Sequence, residues 1–138
     1  MASIRQQINI AASSRSVWDV LTTAEGWTLW WAEEARLDAR SGGRIVLKVE
    51  GDDGELVEER GIFHELRATR KLEIAWDATS PARTKGTRLQ FSISRDGDET
   101  RLALVHSGGG ILEDEEQRAD LEKEWRGALK ALRRTMED

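Results

Sequence analysis

Thr87-Arg88-Leu89-Gln90-Phe91-Ser92-Ile93-Ser94-Arg95-Asp96-Gly97-Asp98-Glu99-Thr100-Arg101-Leu102-Ala103-Leu104-Val105-His106 is the stretch that decides the fold. Thr87, Leu89, Phe91 and Ile93 alternate with Arg88, Gln90, Ser92 and Ser94, the period of two of a half-buried strand. Asp96-Gly97-Asp98 turns the chain, and Thr100, Leu102, Leu104 and His106 resume the same alternation. Two such strands lying antiparallel, each with one apolar and one polar face, imply a sheet covered on one side only.

Working outward from this hairpin, Leu72, Ile74 and Trp76 oppose Lys71, Glu73 and Asp77, and a longer extended stretch runs from about Glu55 to Leu66. Ile45, Leu47 and Val49 alternate with Arg44, Lys48 and Glu50, followed by a hairpin turn at Gly51-Asp52-Asp53-Gly54. The only proline, Pro81, lies in Thr79–Gly86, which reads as a loop between strands. At the start of the chain Ile4, Gln6, Ile8 and Ile10 share one face of a first strand. Ser13 or Ser14 then caps a short helix carrying Val17, Trp18 and Leu21, and Thr23 opens a second short segment running into Trp27, Trp30 and Trp31. What covers the sheet is a last helix over about Asp114 to Met136. Its Leu121, Trp125, Leu129, Leu132 and Met136 form one stripe of a 3.6-residue period. Acidic residues Glu113–Glu116 at its start and Lys130, Arg133 and Arg134 near its end match the helix dipole. The order is strand, two short helices, about six strands and a long helix. That order predicts an α+β fold with the helix packed on a curved antiparallel sheet.

Composition narrows the function. The 138 residues carry 21 Lys+Arg against 26 Asp+Glu, a formal charge of −5, and suit a single domain over residues 1–138. No basic groove accompanies the tryptophans, so nucleic acid is not an expected partner. No apolar run is long enough to cross a membrane and the first residues do not open a signal peptide, so a cytoplasmic protein with no membrane partner is expected. With no cysteine there is neither a disulfide nor a thiolate site, and two histidines offer no ligand spacing: neither metal nor cofactor is expected. Gly108-Gly109-Gly110 lacks a following Lys-Ser/Thr and precedes four acidic residues, so it reads as a hinge rather than a phosphate loop.

Particular residues add a resemblance. Ile8-Asn9-Ile10-Ala11 followed by Val17–Thr23, the pair Trp30-Trp31, Gly42-Gly43 before a strand, Arg70–Trp76, Gly86-Thr87, Thr100–Gly108 and Trp125 together resemble the SRPBCC superfamily, the START or Bet v 1-like helix-grip fold. Within it they look most like the AHSA-like branch, related to the activator of the heat-shock-protein ATPase. The resemblance spans nearly the whole chain. It implies a curved antiparallel sheet wrapped around a long C-terminal helix, with two short helices after the first strand, and an apolar cavity between helix and sheet. The chaperone activator itself carries an additional N-terminal domain, for which this length has no room, so activation of a chaperone ATPase is not the expected role.

Fold and parity together nominate the walls of such a cavity: Leu47, Phe63, Ile74, Trp76, Leu89, Phe91, Leu104, Trp125 and Leu129, with Trp30 and Trp31 at its mouth and His106 as the polar contact that orients a ligand. Trp30 and Trp31, being adjacent, are not expected to face inward together. Of eight aromatic residues six are Trp, and they can either line a cavity for flat ligands or fill it. Glu59 and Glu65 share parity with Val57, Gly61 and Phe63, so one carboxylate can enter the interior unless a β-bulge reverses the parity. His64 falls on the face of Arg60, Ile62 and Leu66. The leading expectation is a non-enzymatic module binding a small apolar or aromatic ligand. One alternative is a cyclase-, aromatase- or hydrolase-like enzyme with His106 and Glu65 as acid and base. Another is a chaperone cofactor or regulatory module with a protein partner, and a homodimer is open to the fold.

Overall fold

The computed structural model describes residues 2–51, 53–81 and 83–138. Capping, and alternation in every strand read except β4, are realised as read. The elements run β1 (Ser3–Ile10), α1 (Ser14–Thr22), α2 (Ala24–Thr28), β2 (Glu34–Leu37), β3 (Arg44–Glu50), β4 (Leu56–Arg67), β5 (Lys71–Trp76), β6 (Arg88–Asp96) and β7 (Glu99–Ser107). A short 3₁₀ turn at Gly110–Glu113 then leads into α3 (Glu115–Glu137). The seven strands form a single antiparallel sheet in the order β1-β7-β6-β5-β4-β3-β2. The Asp96-Gly97-Asp98 turn sets the β6–β7 register, pairing Leu89 with His106 and Phe91 with Leu104. The expected turn at Gly51–Gly54 and loop at Thr79–Gly86 each include a residue, Asp52 and Ala82, outside those described.

The Ser13 hydroxyl accepts the Ser16 N–H to start α1, and Thr23 serves Gly26 in the same way to start α2. A Cβ on Gly26 would lie 2.1 Å from the Val20 carbonyl oxygen, so only glycine lets α2 turn this closely against α1. That approach lets the Trp27 indole N–H reach the Leu21 carbonyl at 2.9 Å. At the other end of the chain Asp114 caps α3 through the Gln117 N–H. The α3 stripe then buries Leu121, Trp125, Leu129 and Leu132 against the sheet, each worth about 1.5–3 kcal/mol. Gln6 on β1 donates to the Glu122 carbonyl at 2.7 Å and ties the sheet edge to that helix.

β4 breaks the parity. Phe63 pairs with Ile74 but Glu65 pairs with Glu73, so His64 is one extra residue in this strand. Before the bulge Glu59, Gly61 and Phe63 face the core. After it Leu66 pairs with buried Leu72, and Glu65 turns outward. The bulge that the sequence left open thus separates the two carboxylates, with Glu59 on the inner face and Glu65 on the outer one. Leu66 likewise leaves the face it was expected to share with exposed His64.

Candidate functional site

The interior between α3 and the sheet is an aromatic layer. Trp27 stacks on Trp30 with ring centroids 5.1 Å apart, and Trp30 meets Phe91 edge-on at 6.1 Å. Trp31 lies almost parallel to Trp125, at 4.1 Å and 9°. Trp30 also reaches Trp125, at 6.1 Å. Of the adjacent pair, Trp30 is buried in the core while Trp31 is half-buried at its rim. They sit in a turn after α2, where consecutive side chains do not alternate as they do in a strand.

The structure brings the expected wall residues to one place and closes the space between them. Leu47, Phe63, Ile74, Leu89, Phe91, Leu104 and His106 have no accessible surface at all. A wall facing a void large enough for one water would retain some. The tryptophans fill the expected cavity here. Trp76, Trp125 and Leu129 are buried with them. Trp76 lies over Gly61, where a Cβ would come within 3.0 Å of its ring.

Parity places His106 inside, and its hydrogen bonds define its state. The Trp125 indole N–H can only donate, and it donates to His106 Nδ1 at 3.2 Å. The neutral ring then carries its proton on Nε2 and donates to Thr87 Oγ1 at 2.8 Å. Thr87 in turn donates to the Thr84 carbonyl at 2.7 Å. Burial and, secondarily, the Arg83 charge lower the His106 pKa to about 4, so the neutral ring that this chain of bonds requires is the form present at neutral pH. Both ring nitrogens are engaged. Glu65 is on the opposite face of the sheet, ion-paired with Lys71 and Arg67 at 3.2 Å each, and Lys71 foremost holds its carboxyl below the usual range. The acid–base pair expected of His106 and Glu65 is not assembled.

Glu59 is the carboxylate that enters the interior, without accessible surface. Its two oxygens accept from Trp31 Nε1 and Arg83 Nε, each at 2.8 Å. Arg83 comes from the β5–β6 loop, which Ser80, Thr84 and Thr87 fasten by mutual and backbone hydrogen bonds. Its guanidinium lies 4.7 Å from the Trp31 ring centroid and also pairs with Glu124 of α3 at 2.9 Å. Beside Arg83 an opening of about 410 Å³ runs between the β3–β4 turn and the start of α3, lined among others by Val57, Pro81, Ile111, Leu121 and Glu124. None of the residues expected to wall a cavity lines it. Sequence reading missed Arg83 and Glu124 as site residues. Arg83 and Glu124 carry no periodic signal, one lying in a loop and the other on a charged helix face.

Most polar groups of this interior are satisfied. The exceptions are Trp30 Nε1 and Trp76 Nε1, buried with no hydrogen-bond partner among the described residues. The described residues hold no cluster of His, Cys, Asp or Glu fit for a metal ion, and no helix is long and apolar enough to cross a membrane.

Comparison with known proteins places this architecture. The family model described as activator of Hsp90 ATPase homolog 1-like protein matches residues 11–137. None of the curated proteins matches the chain. Among solved structures, the Aha1 dimer from Colwellia psychrerythraea is similar with a TM-score of 0.81 and 22% identity, over 99% of this chain and 97% of that one. CalU16 from Micromonospora echinospora is similar with a TM-score of 0.70 and 24% identity, over 94% and 73%. An AHSA1-like protein from Aeromonas hydrophila is similar with a TM-score of 0.72 and 18% identity, over 95% and 90%.

Proposed function

The chain belongs to the activator of Hsp90 ATPase homolog 1-like family, within the SRPBCC superfamily, and from that premise we infer that it is a binding module for a small apolar or aromatic molecule held between α3 and the sheet. The observation that carries this reading is the pair of unpartnered indole donors. Trp30 and Trp76 each bury an N–H without an acceptor among the described residues, at a cost of about 1–3 kcal/mol apiece. Buried donors are in the great majority of cases hydrogen-bonded, to protein, to ordered water or to a bound molecule. A ligand carbonyl or hydroxyl would remove the cost, and aromatic faces would hold the rest of the molecule. His106 was expected to supply the polar contact, but with both nitrogens engaged it leaves that role to the indoles. The opening beside Arg83 is one aromatic ring away, since Arg83 covers Trp31 and Trp31 touches Trp30.

Thermal denaturation against fatty acids, sterols, flavonoids and polycyclic aromatics tests the reading. A ligand at 100 times its dissociation constant adds roughly 2.7 kcal/mol, which for a domain of this size raises the melting temperature by several degrees. A reproducible rise with one chemical class supports the module; no rise with any class overturns it. Self-association is a second reading, supported by the solved dimer of similar fold and by the exposed Leu29, Leu56 and Ile62. Sedimentation velocity checks it: a coefficient that grows with concentration supports a homodimer, and one fixed at the monomer value excludes it.

A further inference from the structure

Trp31 differs from the other tryptophans. Trp18, Trp27, Trp30, Trp76 and Trp125 are buried, whereas Trp31 is half-buried and packed from the rim. Its surroundings are three-sided: the Trp125 face at 4.1 Å, the Arg83 guanidinium at 4.7 Å and the Glu59 carboxylate accepting its N–H at 2.8 Å. All three partners come from other elements: α3, the β5–β6 loop and β4. We propose that the slot now filled by the Trp31 indole is the recognition site itself, and that its ligand is a neutral, flat heteroaromatic molecule with an N–H on its edge, which displaces Trp31. The proposal rests on the binding-module reading and names its ligand class.

The chemistry of the slot selects that class. The Trp125 face on which Trp31 now stacks, with the Arg83 guanidinium lying over the same Trp31 ring, selects a flat ring in its place. A guanidinium over the face disfavours a cation, and a carboxylate without accessible surface at the edge disfavours an anion and requires a donor. An edge N–H takes over the bond that Trp31 now makes, so Glu59 is not left with an unused oxygen when the exchange is complete. The exchange needs little backbone motion. The main chain around Trp31 is fixed by the Trp31 and Ala32 N–H groups on the Trp27 carbonyl, at 3.1 and 3.0 Å, and by the Glu33 N–H on Lys48 at 2.8 Å. In the proposed exchange the indole leaves by rotation about its side-chain bonds while these backbone bonds stay in place. Entry is also provided for, because Arg83 belongs both to the slot and to the opening of about 410 Å³, and Glu124 holds a second nitrogen of its guanidinium there. A protein whose site is occupied by its own side chain binds more weakly by the fraction of time the site is free.

Calorimetric titration of indole and N-methylindole into the wild-type protein, Trp31→Ala and Trp31→Phe tests this, with ¹⁹F spectra of 5-fluorotryptophan-labelled wild type. The expected result has three parts. Indole binds the wild type and moves the Trp31 resonance to a solvent-exposed position. Trp31→Ala, or Trp31→Phe should the alanine variant not fold, binds indole at least tenfold more tightly. N-methylindole, which lacks the donor, binds at least tenfold more weakly than indole to each protein. Indole binding with an unmoved Trp31 resonance, equal binding of the two probes, or binding by the variants alone overturns the proposal. If members of the apolar panel raise the melting temperature while indole leaves Trp31 in place, the slot falls and the binding module stands. If nothing binds the wild type, both fall.

Discussion

The imidazole of His106 is held between an indole donor and a threonine hydroxyl, and removing it from water costs its charged form more than its neutral one. The consequence is a pH dependence with a definite sign. The unfolded chain protonates this histidine near pH 6.5, whereas the folded chain does so only near pH 4. Between those values the unfolded state binds a proton that the folded state refuses, so stability falls as the pH falls. The loss is roughly 3 kcal/mol across the interval and levels off below it. Urea midpoints measured from pH 7 to 4 should show this slope in the wild type and not in His106→Gln. An identical slope in both would show that the ring is not buried neutral. The inward direction of His106 was legible, because its parity with Leu102 and Leu104 is uninterrupted. Its partners were not: Thr87 and Trp125 lie 19 residues away on either side, and no local pattern connects them. Glu59 was half legible. Parity put it inside, but only the fold supplies the Arg83 that makes a buried carboxylate tolerable.

β4 shows where element-scale reading fails and what corrects it. A single extra residue, His64, reverses the strand's faces between Phe63 and Glu65, and nothing in the run Glu55–Leu66 marks the position, since charged residues occur on both faces. β6 and β7 have no bulge and were read with the correct faces throughout. The same strand holds a position where close approach is required. At Gly61 a Cβ would come within 2.6 Å of the Ala75 carbonyl oxygen, 3.0 Å of Trp76 Cε3 and 3.2 Å of Ile74 Cγ2. Backbone cannot yield as a flexible side chain can, so Gly61→Ala should destabilise the protein by about 1–3 kcal/mol. It should also displace the Trp76 ring from β4. Chemical denaturation with Trp76 as the reporter checks both, and an unchanged midpoint would mean that β4 and β5 are less closely paired than described.

Across the whole molecule the order of strands and helices was legible because a sheet covered on one side writes its parity into every strand and its complement into one helix stripe. Whether six tryptophans line a cavity or fill it was not legible. That choice depends on rotamers, and a ring in either position satisfies the same apolar pattern. The fold closes the space by stacking Trp31 on Trp125 and Trp30 on Trp27, yet among the described residues leaves two indole N–H groups unpaired, and Trp31 half-buried against the Arg83 that lines an opening. The account's central claim is that this aromatic layer is where a small molecule binds. The most direct test is the indole region of the ¹H–¹⁵N spectrum, with each tryptophan assigned, as a compound that raises the melting temperature is titrated in. The account predicts that Trp30, Trp31 and Trp76 shift on saturation, while Trp27, already bonded to the Leu21 carbonyl, moves least. Saturable binding that leaves all three resonances in place would contradict it.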